Sequence, residues 1–446
     1  MIEILKHPAY ARLFSAQVIA LAGTGLLTVA LGLLAYDLAG DRAGAVLGTV
    51  FAIKMIAYVG LAPLANAIAG RRPRKQLLIG ADLVRASVAL ALPFIDQVWQ
   101  IYGLIFVLQA ASATFTPAFQ AAIPDILPDE RDYTRALSLS RLAYDLENLL
   151  SPALAGLLLM FISYHWLFGG TVLGFLGSAL LVAVAAIPLA KPERVQRPFA
   201  ERLTRGVRIY LATPRLRGLL ALNLTAASAG AFVLVNTVVI VRGGYGGGEA
   251  GVAAALAAFG AGSMLSAIAL PRLLETIADR MVMVRSGFLL ALLTLGHATY
   301  LFAEGWPAWT GFLLAWVLSG VFYSAILTPS GRLLRVSAHA EDRPAVFAAQ
   351  FTLSHACWLV TYPLAGWAGL ALGLPAAMLM LGGMALTGAL AALRVWPADD
   401  ASMLDHEHGD LPPNHPHLRA HPPQGTRHRH VFVIDDEHHR VWPTQG

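Results

Sequence analysis

Long apolar runs alternate with short polar breaks over the first 394 residues. The runs cover about 12–36, 44–68, 77–95, 99–121, 138–162 and 167–189, then 217–241, 250–272, 283–303, 308–328, 345–369 and 374–394. Each holds roughly twenty residues or more, the length a helix needs to cross a bilayer core. None alternates strictly as a barrel strand does. In hydrocarbon every backbone N–H and C=O must find its partner within the protein, which favours helices here. The pattern predicts an all-α membrane protein of twelve transmembrane helices.

Composition agrees. The chain is 57% hydrophobic and 13% charged, with a mean hydropathy of +0.61, where a soluble domain carries about 25% charge. The single cysteine, Cys357, excludes an internal disulfide. The opening MIEILKHPAY leads into the first run without a cleavage-like end, so that helix is expected to be retained. Lysine occurs only at Lys6, Lys54, Lys75 and Lys191 while arginine and alanine abound, which suggests a GC-rich bacterial genome. No nucleophile–base constellation marks an enzyme, and no P-loop marks an ATP-driven pump.

The charges in the breaks set an orientation. Arg71, Arg72, Arg74 and Lys75, then Arg194, Arg197, Arg202, Arg205 and Arg208, then Arg280, Arg285, Arg332, Arg335 and Arg343 all fall on one side. The other side carries little beyond Arg42 and Arg242. The positive-inside rule puts both termini in the cytoplasm, with the protein in the inner membrane. The net charge of +5 reflects that topology and gives no reason to expect nucleic acid. Residues 191–216 mix Phe199, Leu203, Val207 and Tyr210 with arginines, as an amphipathic helix on a membrane surface would.

An internal repeat divides the chain. Ile68-Ala69-Gly70-Arg71 matches Ile277-Ala278-Asp279-Arg280, Asp129-Glu130-Arg131 resembles Glu341-Asp342-Arg343, and Leu154-Ala155-Gly156 matches Leu364-Ala365-Gly366, all about 210 residues apart. The expected organisation is a six-helix bundle over 1–190, a linker over 191–216, a second, pseudo-symmetric bundle over 217–396 and a tail over 397–446. Duplicated halves of this kind place a substrate site between them and expose it by rocking.

Over residues 1 to about 394 this layout resembles the major facilitator superfamily, whose known loop motif reads G-x-x-x-D-R-x-x-R-R/K. Here the stretch runs from Asn66 through Gly70, Arg71, Arg72 and Arg74 to Lys75, with Asn66 for the first glycine and Gly70 for the aspartate. The resemblance implies a gating loop made by Arg71, Arg74 and Lys75, altered in this half and retained at Asp279 and Arg280 in the other. The segments "LPDERDYTRALSL" and "SPALAG" resemble those of exporters within the superfamily.

Several polar residues fall where lipid should exclude them, and each is a functional candidate. Lys54 sits mid-span in "VFAIKMIAYVG", to be read either as a structural ion pair or as part of a transport path. The predicted fifth span carries Arg141, Asp145 and Glu147. Arg141 and Asp145 are four apart and can neutralise each other, which leaves Glu147 as the proton or cation candidate. The repeat carries Asp145 and Glu147 onto His355 and Cys357, so both halves place ion ligands at comparable positions. Residues two apart point to different sides of a helix, so at most one of each pair faces a shared cavity. A buried histidine bonded to a serine or carbonyl is the plainer reading of His355.

The tail changes the picture again. It holds His406, His408, His415, His417, His421, His428, His430, His438 and His439, interleaved with carboxylates and prolines. Neutral imidazole is a metal ligand near pH 7, so these residues read either as a metal-binding arm or as a disordered tail of tunable charge. Val431–Ile434 is expected to form a short strand. With such a tail, and with "GTGLLTVALGLLAYDLAG" and "FAIKMIAYV", the chain is similar to the nickel-resistance (Nre-type) efflux permeases. The implied function is export of a divalent transition metal, nickel or cobalt, by proton antiport. The alternatives are an exporter of a small organic compound, such as a drug or siderophore, and a non-transporting metal sensor. No permanently bound cofactor is expected; a transition-metal ion would be cargo or tail ligand. The expected partners are lipid, the solute and protons, and a monomer is compatible with the layout.

Overall fold

The structure, a computed structural model, describes residues 2–61, 73–129, 132–133, 135–136, 139–140, 143, 151, 154–188, 199–339, 342–398, 403–407, 427–434 and 442. Helix α1 spans Pro8–Ala39, with Pro8 at the first helical position, where its missing N–H costs nothing. It stops at Gly40, whose φ of 54° suits glycine. Helix α2 (Ala43–Ile56) runs on through a wide turn at Ala57–Leu61. Then come α3 (Arg74–Ala91), α4 (Val98–Ile126) and α5 (Tyr164–Val184). The second half holds α7 (Pro214–Val239), α8 (Glu249–Leu273), α9 (Asp279–Glu304), α10 (Trp309–Leu327), the short α11 (Ser330–Val336), α12 (Arg343–Leu372) and α13 (Leu374–Val395).

Nine stretches among the described residues are long and apolar enough to cross a membrane, and the first, Pro8–Gly60, contains both α1 and α2. Helix α12 is longer still at 30 residues, but it carries Thr352, Ser354, His355 and Thr361. Eleven of the twelve expected spans thus stand among the described residues. The fifth, 138–162, falls mostly outside them.

The repeat is visible in the packing. Helix α1 packs on α5 as α7 packs on α13, and α3 packs on α4 and α5 as α9 packs on α10 and α13. The halves meet chiefly where α2 lies along α12. Both α1 and α7 start at one end of the bundle, the terminal face, and end at the opposite face. Near the opposite face one hydrophobic core joins both halves, including Leu47, Phe51 and Phe168 with Phe232, Phe259 and Tyr362. Toward the terminal face the described buried residues fall into separate clusters. One, around Tyr10, Phe119 and Ile123, belongs to the first half, and the other, around Leu219, Leu334 and Trp396, to the second. The halves are fused at one end and part toward the other.

The linker forms α6 (Phe199–Ala212). It packs on α12, with Ile209 and Tyr210 buried and an Arg205–Asp342 ion pair at 2.7 Å. In the tail, β1 (Met403–Glu407) and β2 (Arg427–Val431) form an antiparallel hairpin. The strand therefore lies upstream of the expected 431–434. Phe432, Val433 and Ile434 instead leave the ladder and bury themselves, and Phe432 and Ile434 join the second half's terminal core. Burying those apolar groups away from the ribbon outweighs continuing the two-stranded ladder.

Candidate functional site

Close approach of backbones makes the junction at the opposite face. A Cβ on Gly48 of α2 would stand 2.6 Å from the Tyr362 carbonyl oxygen of α12, so only glycine allows this contact. Beside it the Phe51 and Tyr362 rings lie 4.8 Å apart, and Trp367 Nε1 donates to Thr49 Oγ1 at 3.2 Å. A polar chain completes the seal. Arg242 pairs with Asp37 at 3.1 Å, and Tyr164 donates from its hydroxyl to Asp37 at 2.7 Å and from its backbone N–H to Glu249 at 3.1 Å. These four residues tie the ends of α1 and α5 to the end of α7 and the start of α8. A cleft of about 290 Å3, lined by Asp41, Gly44, Asn236 and Trp306 among others, indents the same face.

Below this seal the halves begin to diverge, and aromatic side chains face one another. Lys54 Nζ lies 5.7 Å over the Tyr58 ring. Tyr58 meets Phe351 at 5.9 Å and His355 edge-on at 5.5 Å across the junction. Along α12 and into α10 and α8 the path continues through Tyr362–Trp358 (4.8 Å), Trp358–Tyr323 (6.4 Å) and Tyr323–Phe259 (5.4 Å). Lys54 and Tyr58 are half-buried, and no carboxylate among the described residues forms an ion pair with Lys54. Such a surface can stack a flat or apolar molecule and offer one ammonium to an acidic group.

The structure separates His355 from Cys357. His355 faces Tyr58, and its Nδ1 lies 2.6 Å from the Phe351 carbonyl oxygen. A carbonyl only accepts, so Nδ1 carries the hydrogen. Cys357 hydrogen-bonds the Leu353 carbonyl at 3.5 Å and lies toward α6. There burial, with the Cys357 thiol nearby, pushes the Tyr210 hydroxyl well above its ordinary range. Asp145 and Glu147 lie outside the described residues, as does Arg71. Arg74 pairs with Asp125, and Lys75 Nζ donates to the Ala185 carbonyl at 3.1 Å. Asp279 holds Arg332 in a two-point pair at 2.9 and 2.5 Å, while Arg280 donates to the Trp396 and Leu393 carbonyls. His406, His428 and His430 fall in the hairpin; His408, His415, His417, His421, His438 and His439 lie outside the described residues.

Sequence reasoning passed over a buried ion pair in α3. Asp82 is fully buried and binds Arg85, whose guanidinium lies 4.3 Å from the Phe115 ring and 4.6 Å from the Phe175 ring. The signal was there in "IGADLVRASV", an aspartate and an arginine three apart within a run of spanning length. Asp37 and Arg242 were read as flanks of their spans, because partners 205 residues apart leave no mark on local sequence.

The fold is shared with solved transporters. The nucleoside transporter NupG superposes with a TM-score of 0.65 at 14% identity, covering 87% of this chain and 100% of that one. A bacterial homolog of the human lysosomal transporter Spinster, in an inward-facing and unoccupied conformation, gives 0.62 at 13% identity over 87% of this chain and 97% of that one. In sequence, the uncharacterized MFS-type transporter YfiS of Bacillus subtilis is 24% identical over 297 residues, 65% of this chain and 70% of that protein. Macrolide efflux protein A of Streptococcus pyogenes is 27% identical over 152 residues, 32% of this chain and 37% of that protein. Residues 13–310, more than half of the chain, match the Major Facilitator Superfamily. With the paired bundles, the junction between them and these likenesses together, the chain belongs to the Major Facilitator Superfamily of membrane transporters.

Proposed function

We propose that the protein exports a small organic compound bearing an acidic group, by alternating access driven by protons. The observation that carries this reading is Lys54 beside the aromatic path of Tyr58, Trp358 and Tyr323, where the halves part. The charge bias of the loops puts the terminal face in the cytoplasm of a bacterial inner membrane, so the parted halves admit solute from inside. Rocking would then open the Gly48–Tyr362 contact and the Asp37–Arg242 tie and close the terminal face. Efflux is what the printed name of the macrolide relative says of that protein, and the direction is carried here as part of the proposal.

Lys54 also weighs against a metal as cargo. At about 6 Å and an effective dielectric near 20, an ammonium repels a divalent ion by about 5 kcal/mol. Among the described residues no three metal ligands gather to offset that.

Uptake into inverted vesicles tests the proposal, with labelled organic acids, a labelled macrolide, and Ni2+ and Co2+ as parallel cargoes. The expected result is proton-driven uptake of an organic acid, with KM raised about tenfold by Lys54→Ala, the loss of one charge-assisted contact, and less by Lys54→Arg. Metal uptake lost in His355→Ala, with no organic flux, would reinstate metal export. No flux of any cargo, with metal still bound by the tail, would favour a sensor.

A further inference from the structure

The hairpin of the tail brings together residues that the sequence keeps more than twenty positions apart. In its register His406 is the Cα partner of His428, and Leu404 is the partner of His430. Successive residues of a strand alternate between faces, so His406, His428 and His430 share one face of the ribbon. The other face pairs positions of opposite charge, Asp405 with Arg429 and Glu407 with Arg427. The register thus sorts the ribbon into a face with three imidazole-bearing positions and a face of matched acid and base.

We infer that the histidine face of this hairpin is a binding site for a divalent transition-metal ion, with His406, His428 and His430 as its three protein ligands. Directly opposed positions of an antiparallel pair stand about 4.5–5.5 Å apart at Cβ. Positions i and i+2 of one strand stand about 7 Å apart. Three imidazoles so spaced can reach a single ion at about 2.0–2.1 Å and leave a fourth position open. Two ligands from one strand and one from its neighbour is an arrangement that histidines scattered along an extended tail would not have. Imidazole as sole protein ligand selects zinc, nickel or copper over magnesium or calcium. The site lies in the tail, apart from the junction between the halves, and it does not depend on which solute the bundles carry.

The site has a mechanical neighbour. Val431 ends β2, and the next three residues, Phe432, Val433 and Ile434, are 2%, 5% and 1% exposed. Phe432 packs edge-on against Trp442 at 5.2 Å, and Trp442 lies 5.5 Å from the Arg215 guanidinium at the start of α7. Metal that fixes the ribbon therefore holds the segment that plugs the terminal core of the second half.

The test uses the full chain purified in detergent without a histidine tag, titrated calorimetrically with Zn2+ and with Ni2+. One tight equivalent is expected, weakened at least fivefold by each of His406→Ala, His428→Ala and His430→Ala. His417→Ala and His439→Ala should leave that equivalent within twofold. A loss under fivefold for any of the three, or an equal loss in the two controls, overturns the site in favour of diffuse binding by the tail. Hydrogen exchange adds a second reading. Zn2+ should slow amide exchange over 427–434 in the wild type and not in His428→Ala, and unchanged exchange in the wild type overturns the coupling to the plug. Neither measurement involves transport, so failure of the export proposal leaves this result readable.

Discussion

The third and ninth spans occupy the same place in the two halves, yet they are built from different chemistry. Helix α3 buries Asp82 and Arg85 between the Phe115 and Phe175 rings. At the repeat offset of 209 residues, α9 carries Ala291 and Thr294, both buried, with the threonine bonded back to the Leu290 carbonyl at 2.8 Å. Both helices pack on the same pair of neighbours within their halves. The duplication thus fixes where a helix lies but not how it is held. A peripheral helix can be seated by apolar contact alone, and the ion pair in the first half is an addition whose removal should be felt there only.

The largest effect should come from breaking that addition on one side. Asp82→Ala takes away the carboxylate facing a guanidinium that remains in the bundle interior, which should cost about 3–5 kcal/mol. Thermal unfolding in detergent should show it as a lowered midpoint or lost expression. Replacing both partners, Asp82→Leu with Arg85→Met, makes α3 resemble α9 and should recover most of the loss. Ala291→Asp imposes the reverse experiment on the second half and should destabilise it, having no arginine three residues on. If the double variant is as unstable as Asp82→Ala, the pair is indispensable to the fold and the comparison fails.

A smaller effect is expected at the seal joining the halves. The Asp37–Arg242 pair is partly exposed, at 38% and 25%, and such pairs contribute about 0.2–1 kcal/mol. Arg242→Ala should therefore shift the balance between open and closed opposite faces by about twofold to fivefold. Distance measurements between spin labels on the ends of α1 and α7 read that shift. Gly48→Leu makes the stronger perturbation at the same place, since any Cβ meets the Tyr362 carbonyl, and the labels should then report a face that no longer closes.

How much of this could be read from sequence follows from the range of each interaction. The spans come from local hydropathy, and α7, expected at 217–241, is found at Pro214–Val239. The repeat is legible because Ile68-Ala69-Gly70 and Ile277-Ala278-Asp279 retain a shared pattern. Lys54 stands out because a charge in mid-span is costly. Tyr58, Trp358 and Tyr323 do not stand out, since an aromatic residue in an apolar run is ordinary until three helices bring several together. The seal of Asp37, Tyr164, Arg242 and Glu249 is invisible for the same reason: each sits at a span end, where polar residues are unremarkable. The hairpin lies between the two cases. Its histidines are obvious in the sequence, but only the register shows which of them meet.

The smallest effect tests the comparison most finely. Both halves fasten the loop end of one helix to the end of the next, but with the charges exchanged. In the first half the cation, Arg74, is on α3 and the anion, Asp125, is at the end of α4. In the second half the anion, Asp279, opens α9 and the cation, Arg332, follows α10. A helix N-terminus favours a negative charge and disfavours a positive one by about 0.3–1 kcal/mol. Asp279 at the first position of α9 has that favourable placement, whereas Arg74 opening α3 does not. Exchanging the first-half pair, Arg74→Asp with Asp125→Arg, gives it the polarity of the second half while keeping the ion pair. The exchange should leave stability unchanged or raise it by up to about 1 kcal/mol, whereas each single variant places two like charges together and should lower it. Thermal unfolding of the four proteins decides the point. A double variant less stable than both singles would mean that the polarity of each tie is set by its own half, and that the two fastenings are alike in position alone.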